Sequence, residues 1–183
     1  MHLRKSVAGL KRDVSMRNFR WPVEVTRPVA ASASQVWDVL SMPGNLELCH
    51  PHCKRNPVQI WPGANSRDRI EYLSGWIFHR RFRRWTEGVG YDLEIGPSGG
   101  VQSLVTWRIV TTGVQRCNLG ITVYPGTLQK IPLAVRWLPH LLRIRPMLKR
   151  YLTSVIMGFE SYVTRGEPVQ HDQFGRHPWF SAR

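Results

Sequence analysis

The run Cys49-His50-Pro51-His52-Cys53 concentrates more ligand-type side chains than any other stretch of the chain. Cysteine and histidine are the right types for zinc. In an extended segment, however, alternation points His50 and His52 one way and Cys49 and Cys53 towards others, so the four cannot easily close one tetrahedron. No second Cys/His cluster stands nearby in sequence. No metal and no cofactor is therefore expected. A second candidate is Asp68, which shares a strand face with Ile70 and Tyr72, whereas Glu71 shares one with Arg69. A carboxylate on the apolar side would have a raised pKa and could serve as a base; at the strand's frayed start it would simply sit in water. The third is His79-Arg80-Arg81-Phe82-Arg83-Arg84-Trp85, the densest basic run. In a strand it splits, with Arg80, Phe82 and Arg84 on one side. If one face is buried, at least one arginine must reach a cavity or the sheet edge, where it would favour a carboxylate or phosphate head. Nucleophile signatures are missing: there is no Gly-x-Ser-x-Gly, and no phosphate loop or dinucleotide fingerprint follows any strand.

These groups sit in a strongly basic chain. The 183 residues carry 26 Lys and Arg against 12 Asp and Glu, a formal net charge of +14. Between Glu94 and Glu160 there is no acidic residue, while Arg108, Arg116, Lys130, Arg136, Arg143, Arg145, Lys149 and Arg150 all fall there. Such a field attracts phospholipid surfaces, nucleic acid or acidic small molecules, or serves solubility alone. Basic residues interleaved with aromatics also suit RNA or single-stranded DNA. Nucleic acid ranks below lipid because the signatures of recognised modules are absent. The length fits one domain. Three cysteines fit a reducing cytoplasm better than a disulfide framework. Nothing at the N-terminus resembles a secretory signal, and no run of about eighteen apolar residues marks a membrane span.

The elements that must position the reactive groups follow from periodicity. Residues 1–20 form a basic arm. Val23, Val25, Arg27 and Val29 alternate as a strand, and the serines of Ala30–Ser34 are helix caps. Ser34–Leu40 gives a short helix burying Val36, Trp37 and Leu40. Met42-Pro43-Gly44-Asn45 breaks it, and Leu46-Glu47-Leu48 adds a turn. Strands are expected at Pro57–Trp61, Arg67–Leu73, Trp76–Thr86, Val89–Ile95, Val101–Val110 and Gln115–Tyr124. Their short connections require antiparallel pairing, and their alternation implies one buried and one wet face. Pro132, Pro139 and Pro146 restart short helical runs as kinked or stepped turns. From Pro146 to Gly166, Leu148, Leu152, Val155, Ile156, Phe159, Tyr162 and Val163 make one stripe on a long helix, with Tyr151 beside them. Pro146 suits a first helical position and Gly166 a left-handed cap. The tail, 167–183, is polar but ends in Phe174, Trp179 and Phe180, which suggests that it packs back onto the domain.

Val25-Thr26-Arg27-Pro28-Val29-Ala30-Ala31-Ser32 running into Ser34-Gln35-Val36-Trp37-Asp38-Val39-Leu40, then a proline-containing break, resembles the START/Bet v 1-like (SRPBCC) superfamily, particularly its polyketide cyclase/dehydrase and lipid transport branch. The resemblance covers about residues 21–166. It implies an α+β helix-grip fold: a curved antiparallel sheet of about seven strands around a long C-terminal helix, with two short helices after the first strand. It also implies a hydrophobic cavity between sheet and helix. The aromatic-rich sheet face asks for the same space, with candidate lining residues Tyr72, Trp76, Phe78, Tyr91, Trp107 and Tyr124 from strands and Leu148, Leu152 and Ile156 from the helix. Arg80 joins them as a ligand-binding candidate. The resemblance places His50 and His52 near the cavity mouth, where a histidine could donate to a ligand carbonyl or shuttle a proton. His50, His52 and Asp68 are thus the catalytic candidates, and capping or packing is the plainer role for the histidines.

The function expected is binding of a hydrophobic or amphipathic small molecule, such as a lipid, quinone or polyketide, by a cytoplasmic protein. Residues 128–150, cationic and apolar together, would touch an anionic membrane or act as a lid. Binding requires a cavity for a ligand of about 300 Å³. The alternative, a cyclase/dehydratase-type enzyme, requires two titratable groups converging inside it. A basic nucleic-acid- or ribosome-associated module is the third possibility.

Overall fold

The computed structural model describes residues 21–126 and 139–183. The basic arm and the first part of the proline-spaced segment lie outside the described residues. Strand β1 (Val23–Val29) leads into α1 (Ala33–Leu40) and α2 (Leu46–Cys49). Ser32 caps α1 in a full capping box: its hydroxyl accepts from the Gln35 backbone N–H, and the Gln35 side chain accepts from the Ser32 N–H. Seven further strands follow: β2 (Cys53–Arg55), β3 (Val58–Ile60), β4 (Arg67–Tyr72), β5 (Ile77–Thr86), β6 (Gly90–Gly96), β7 (Ser103–Gly113) and β8 (Arg116–Tyr124). The sheet is antiparallel and curved, in the order β1-β8-β7-β6-β5-β4-β2, with β3 also on β4. The seven expected strands are all present, and among the described residues the short Cys53–Arg55 adds one more by pairing with the end of β4, while Val58–Ile60, within the expected Pro57–Trp61, pairs with its start. β1 closes on β8, so Val23 stands opposite Val123 and Val29 opposite Cys117.

Period-two alternation places Asp68, Ile70 and Tyr72 of β4 on the inner face, with Arg80 and Phe82 of β5, Leu93 of β6, Val105 and Trp107 of β7, and Ile121 and Val123 of β8. The long helix, α3 (Arg145–Arg165), covers this face. It is entered through wide π-helical turns at His140–Ile144, the described part of the stepped segment, and ends at Gly166 with φ 74°. Leu148, Leu152, Val155, Ile156 and Phe159 of the expected stripe are buried, and Tyr162 and Val163 are half-buried at its edge. Full burial stabilises by about 1.5–3 kcal/mol for each such side chain. Among the described residues, no helix is long and apolar enough to cross a membrane.

α3 packs tightly against its neighbours at Gly158. A methyl group there would stand 2.0 Å from the Cys49 carbonyl oxygen and 3.2 Å from Pro51 Cδ. Mid-helix glycine normally costs about 1 kcal/mol relative to alanine, so here the usual sign reverses. Gly158→Ala is expected to destabilise the fold by about 1–3 kcal/mol or more through overpacking against α2, measured as a lowered urea midpoint. A neutral or stabilising result would mean that α3 is not seated as described.

Candidate functional site

The inner face of the sheet from β4 to β8, with α3 across it, lines a partly open apolar chamber of about 120 Å³. A second apolar chamber of about 230 Å³ adjoins it towards Trp76, Pro125 and Ile144. Phe78, Ser103, Val123, Leu148 and Phe180 stand in the walls of both. Neither chamber by itself reaches the size required of the cavity. Phe180 comes from the tail, which packs across the end of the grip: the Val169 N–H donates to Leu48 O, the Asp172 N–H to Pro51 O, and the Ser74 N–H to Phe180 O. The Phe180 ring lies 4.4 Å from both Tyr72 and Tyr151, between centroids, and 5.2 Å from His177.

Of the expected lining residues, Tyr72, Phe78, Arg80, Trp107, Leu148 and Leu152 line the inner chamber, and Trp76, 50% exposed, lines the outer one. Three do not belong. Tyr124 follows Val123, so the pleat turns it to the opposite face. Tyr91 is buried, but packs on Phe82 and Trp85 with centroids 4.8 and 5.4 Å apart, outside both chambers. Ile156 is buried in the solid core outside both chambers.

Asp68 and Arg80 face one another across β4 and β5 and form a buried bidentate ion pair, with Nε donating to Oδ1 at 2.6 Å and Nη2 to Oδ2. Burial disfavours the Arg80 charge, yet the Asp68 carboxylate beside it holds its pKa above the ordinary arginine value. Asp68 is thus engaged as a counter-ion rather than standing free as a base, and the Nε–Nη2 edge of the guanidinium, one of the edges that could clasp a ligand head, is already taken by it.

The two histidines part ways. His50 lines the inner chamber. Its Nδ1 accepts the His52 backbone N–H at 3.1 Å, so in the neutral ring the proton sits on Nε2, which donates to Tyr151 Oη at 2.9 Å. Tyr151 Oη in turn lies 3.1 Å from Tyr72 Oη. Burial, then the His52 and Arg80 charges, hold the His50 pKa well below the ordinary value, and burial raises those of both phenols. His52 points instead towards the tail. Its Nδ1–H donates to Asp172 Oδ1 at 2.9 Å, and its Nε2 lies 3.2 Å from Ser154 Oγ. Ser154, His52 and Asp172 share the connectivity of a hydrolase triad. Ser154 is buried on α3, however, lies outside both chambers, and its hydroxyl is also 2.8 Å from Tyr151 O. The arrangement fastens the tail to α3. Cys49, Cys53 and Cys117 are buried free thiols, and among the described residues no three His, Cys, Asp or Glu side chains are grouped to hold a metal ion.

Tyr151 and Phe180 are the principal residues that sequence reading left out of the site. Tyr151 was visible as an aromatic flanking the helical stripe. Phe180 was visible only as one of three aromatics in a polar tail.

His177 resembles His50 in having both ring nitrogens engaged: Nε2 donates to Met147 O and Nδ1 accepts the Trp179 N–H. Burial is the largest cause holding the pKa values of His50, His52 and His177 below the ordinary 6.5. The unfolded chain therefore takes up protons near pH 6.5 that the native protein refuses, so stability falls as pH drops below 6.5. The fall continues until the native values are passed, with a slope of at most about 1.4 kcal/mol per pH unit per histidine. Urea midpoints measured from pH 7.5 to 5.5 are expected to decline. A flat profile would show that these rings are not held neutral.

No protein-family model matches the sequence, and no curated protein matches it. Solved structures do match in fold. DynU16, a putative protein in the dynemicin biosynthetic locus, superimposes with a TM-score of 0.62 at 16% identity over 82% of this chain, which spans 50% of DynU16. A START superfamily protein from Mycobacterium smegmatis gives 0.61 at 15% identity, covering 79% of this chain and 97% of its own. The Zhui aromatase/cyclase from Streptomyces sp. R1128 gives 0.60 at 18% identity, covering 79% and 94%. With its curved sheet, paired short helices and covering C-terminal helix, the chain has the helix-grip fold of the START/Bet v 1-like superfamily.

Proposed function

We propose that this protein binds a hydrophobic or amphipathic small molecule between the sheet and α3, with the tail as its cover. The observation that carries this is the pair of adjoining apolar chambers with Phe180 in the wall of both. With that ring swung aside the two become one space, of the kind that helix-grip proteins place between sheet and helix. The exposed Leu141 and Leu142, next to Arg143 and Arg145, support a peripheral contact with an anionic membrane through which such a ligand would arrive.

A cyclase or dehydratase activity is the second reading, favoured by the convergence of His50, Tyr151 and Tyr72 at the inner chamber. Against it, both His50 nitrogens are engaged and the Asp68 carboxylate is bound by Arg80. Among the described residues the chamber wall thus offers donors and no free base.

The test is native mass spectrometry of freshly purified protein with organic extraction, joined to titration with the neutral fluorophore 1-aminoanthracene. A stoichiometric apolar mass, or saturable dye uptake, is expected. Phe180→Ala is expected to tighten dye binding several-fold, even though the truncation itself costs about 3–5 kcal/mol of stability. A ligand-free protein that takes up no dye, with or without Phe180, would overturn the proposal.

A further inference from the structure

The polar chain at the inner chamber has one more donor than the described residues can use. His50 brings its Nε2–H, Tyr151 one O–H and Tyr72 one O–H. Nδ1 of His50 is already taken by the His52 N–H, so the imidazole offers no acceptor. The His50 N–H goes to Tyr151 Oη, and a single hydrogen bond joins the two phenols. Whichever phenol donates in that bond, the proton of the other has no acceptor among the described residues. Both rings line the chamber, and Tyr72 is only 2% exposed. Donors left unsatisfied at such depth are rare in native proteins and cost about 1–3 kcal/mol.

We infer that the Tyr72–Tyr151 pair is a recognition site for the acceptor oxygen of a neutral carbonyl-bearing ligand, a ketone, aldehyde, ester or quinone. The inference rests on the binding reading and narrows its ligand class. A carboxylate or phosphate is the wrong partner. The Arg80 charge is already matched by Asp68, and among the described residues no other lysine or arginine lines the chamber, so a second anion would be buried there without a counter-charge. An ammonium, which only donates, is also wrong, and a hydroxyl fits less well than a carbonyl: its oxygen can accept the phenol proton, but its own proton then adds a further donor to the surplus. The size is that of a small ring or the head of a longer molecule: a dry protein cavity of about 150 Å³ holds benzene, and the inner chamber measures about 120 Å³. Ser103 brings a further hydroxyl to the wall, its oxygen accepting the Gly126 N–H, so the assignment must separate the phenols from it.

Cyclohexanone and methylenecyclohexane separate shape from hydrogen bonding, because they differ only in C=O against C=CH2. Their affinities are measured on the full chain by displacement of 1-aminoanthracene, or by calorimetry, and referred to hexadecane rather than water so that the ketone's hydration cancels. The ketone is expected to bind at least about tenfold more tightly on that scale, the return from one hydrogen bond. Its carbonyl stretch is expected at lower wavenumber in the protein than in hexadecane. In Tyr72→Phe/Tyr151→Phe, both the preference and the stretch are expected to change. Equal binding of the two compounds, with the stretch at its hexadecane position, overturns this inference and leaves the binding reading standing. A preference and a stretch unaltered in the double variant overturn the assignment to the phenols. If neither compound binds wild type or Phe180→Ala although the dye does, this inference is overturned and the binding reading stands; if the dye is not taken up either, the binding reading is lost with it.

Discussion

A sheet curled to one side presents a concave apolar face that cannot stay in water, and among the described helices α3 alone is long enough to cover it. The seat is narrow. The helix rests against α2 where Gly158 meets the Cys49 carbonyl, and side chains of ordinary length hold it off the sheet elsewhere. The inner chamber lies beside Leu148, Tyr151 and Leu152, N-terminal to that contact on the same helix.

Dryness then governs the chemistry. A buried charge must bring its counter-charge, which is why Asp68 faces Arg80 in register, and a buried imidazole stays neutral with its nitrogens assigned to fixed partners. A wall built under those rules is a set of oriented dipoles rather than a source of mobile protons. That distinction separates a receptor from an acid–base catalyst more sharply than the overall fold does, since one fold hosts both.

Much of this was legible in the residues. The stripe from Leu148 to Phe159, the Gly166 cap, the Ser32 region and the strand sequence follow from local periodicity and capping, which depend on near neighbours only. Alternation also put Asp68 beside Ile70 and Tyr72, and Arg80 beside Phe82, each on an apolar face. That the two meet depends on the register across the β4–β5 turn, which neither strand specifies alone. The irregularity between Phe82 and Arg84 in the pairing with β6 turns Arg84 outwards to Asp92, against simple alternation. The tail was the least readable part: the His52–Asp172 bond links residues 120 positions apart, and nothing in either neighbourhood announces the other.

The pairing of Val23 with Val123 has a kinetic side. Among the described strands β1 is the first of the sheet, yet its strand partner is the last, and α3 reaches back to it through Arg27 and Glu160. The chain must therefore lose the entropy of a very long loop before its ends reward it with contacts. Topologies dominated by such distant pairings fold on the scale of about milliseconds to seconds. The hairpins β4–β8 can form while the chain still searches, so for that interval the concave face lies open along the free edge of β8 to whatever apolar molecule reaches it first.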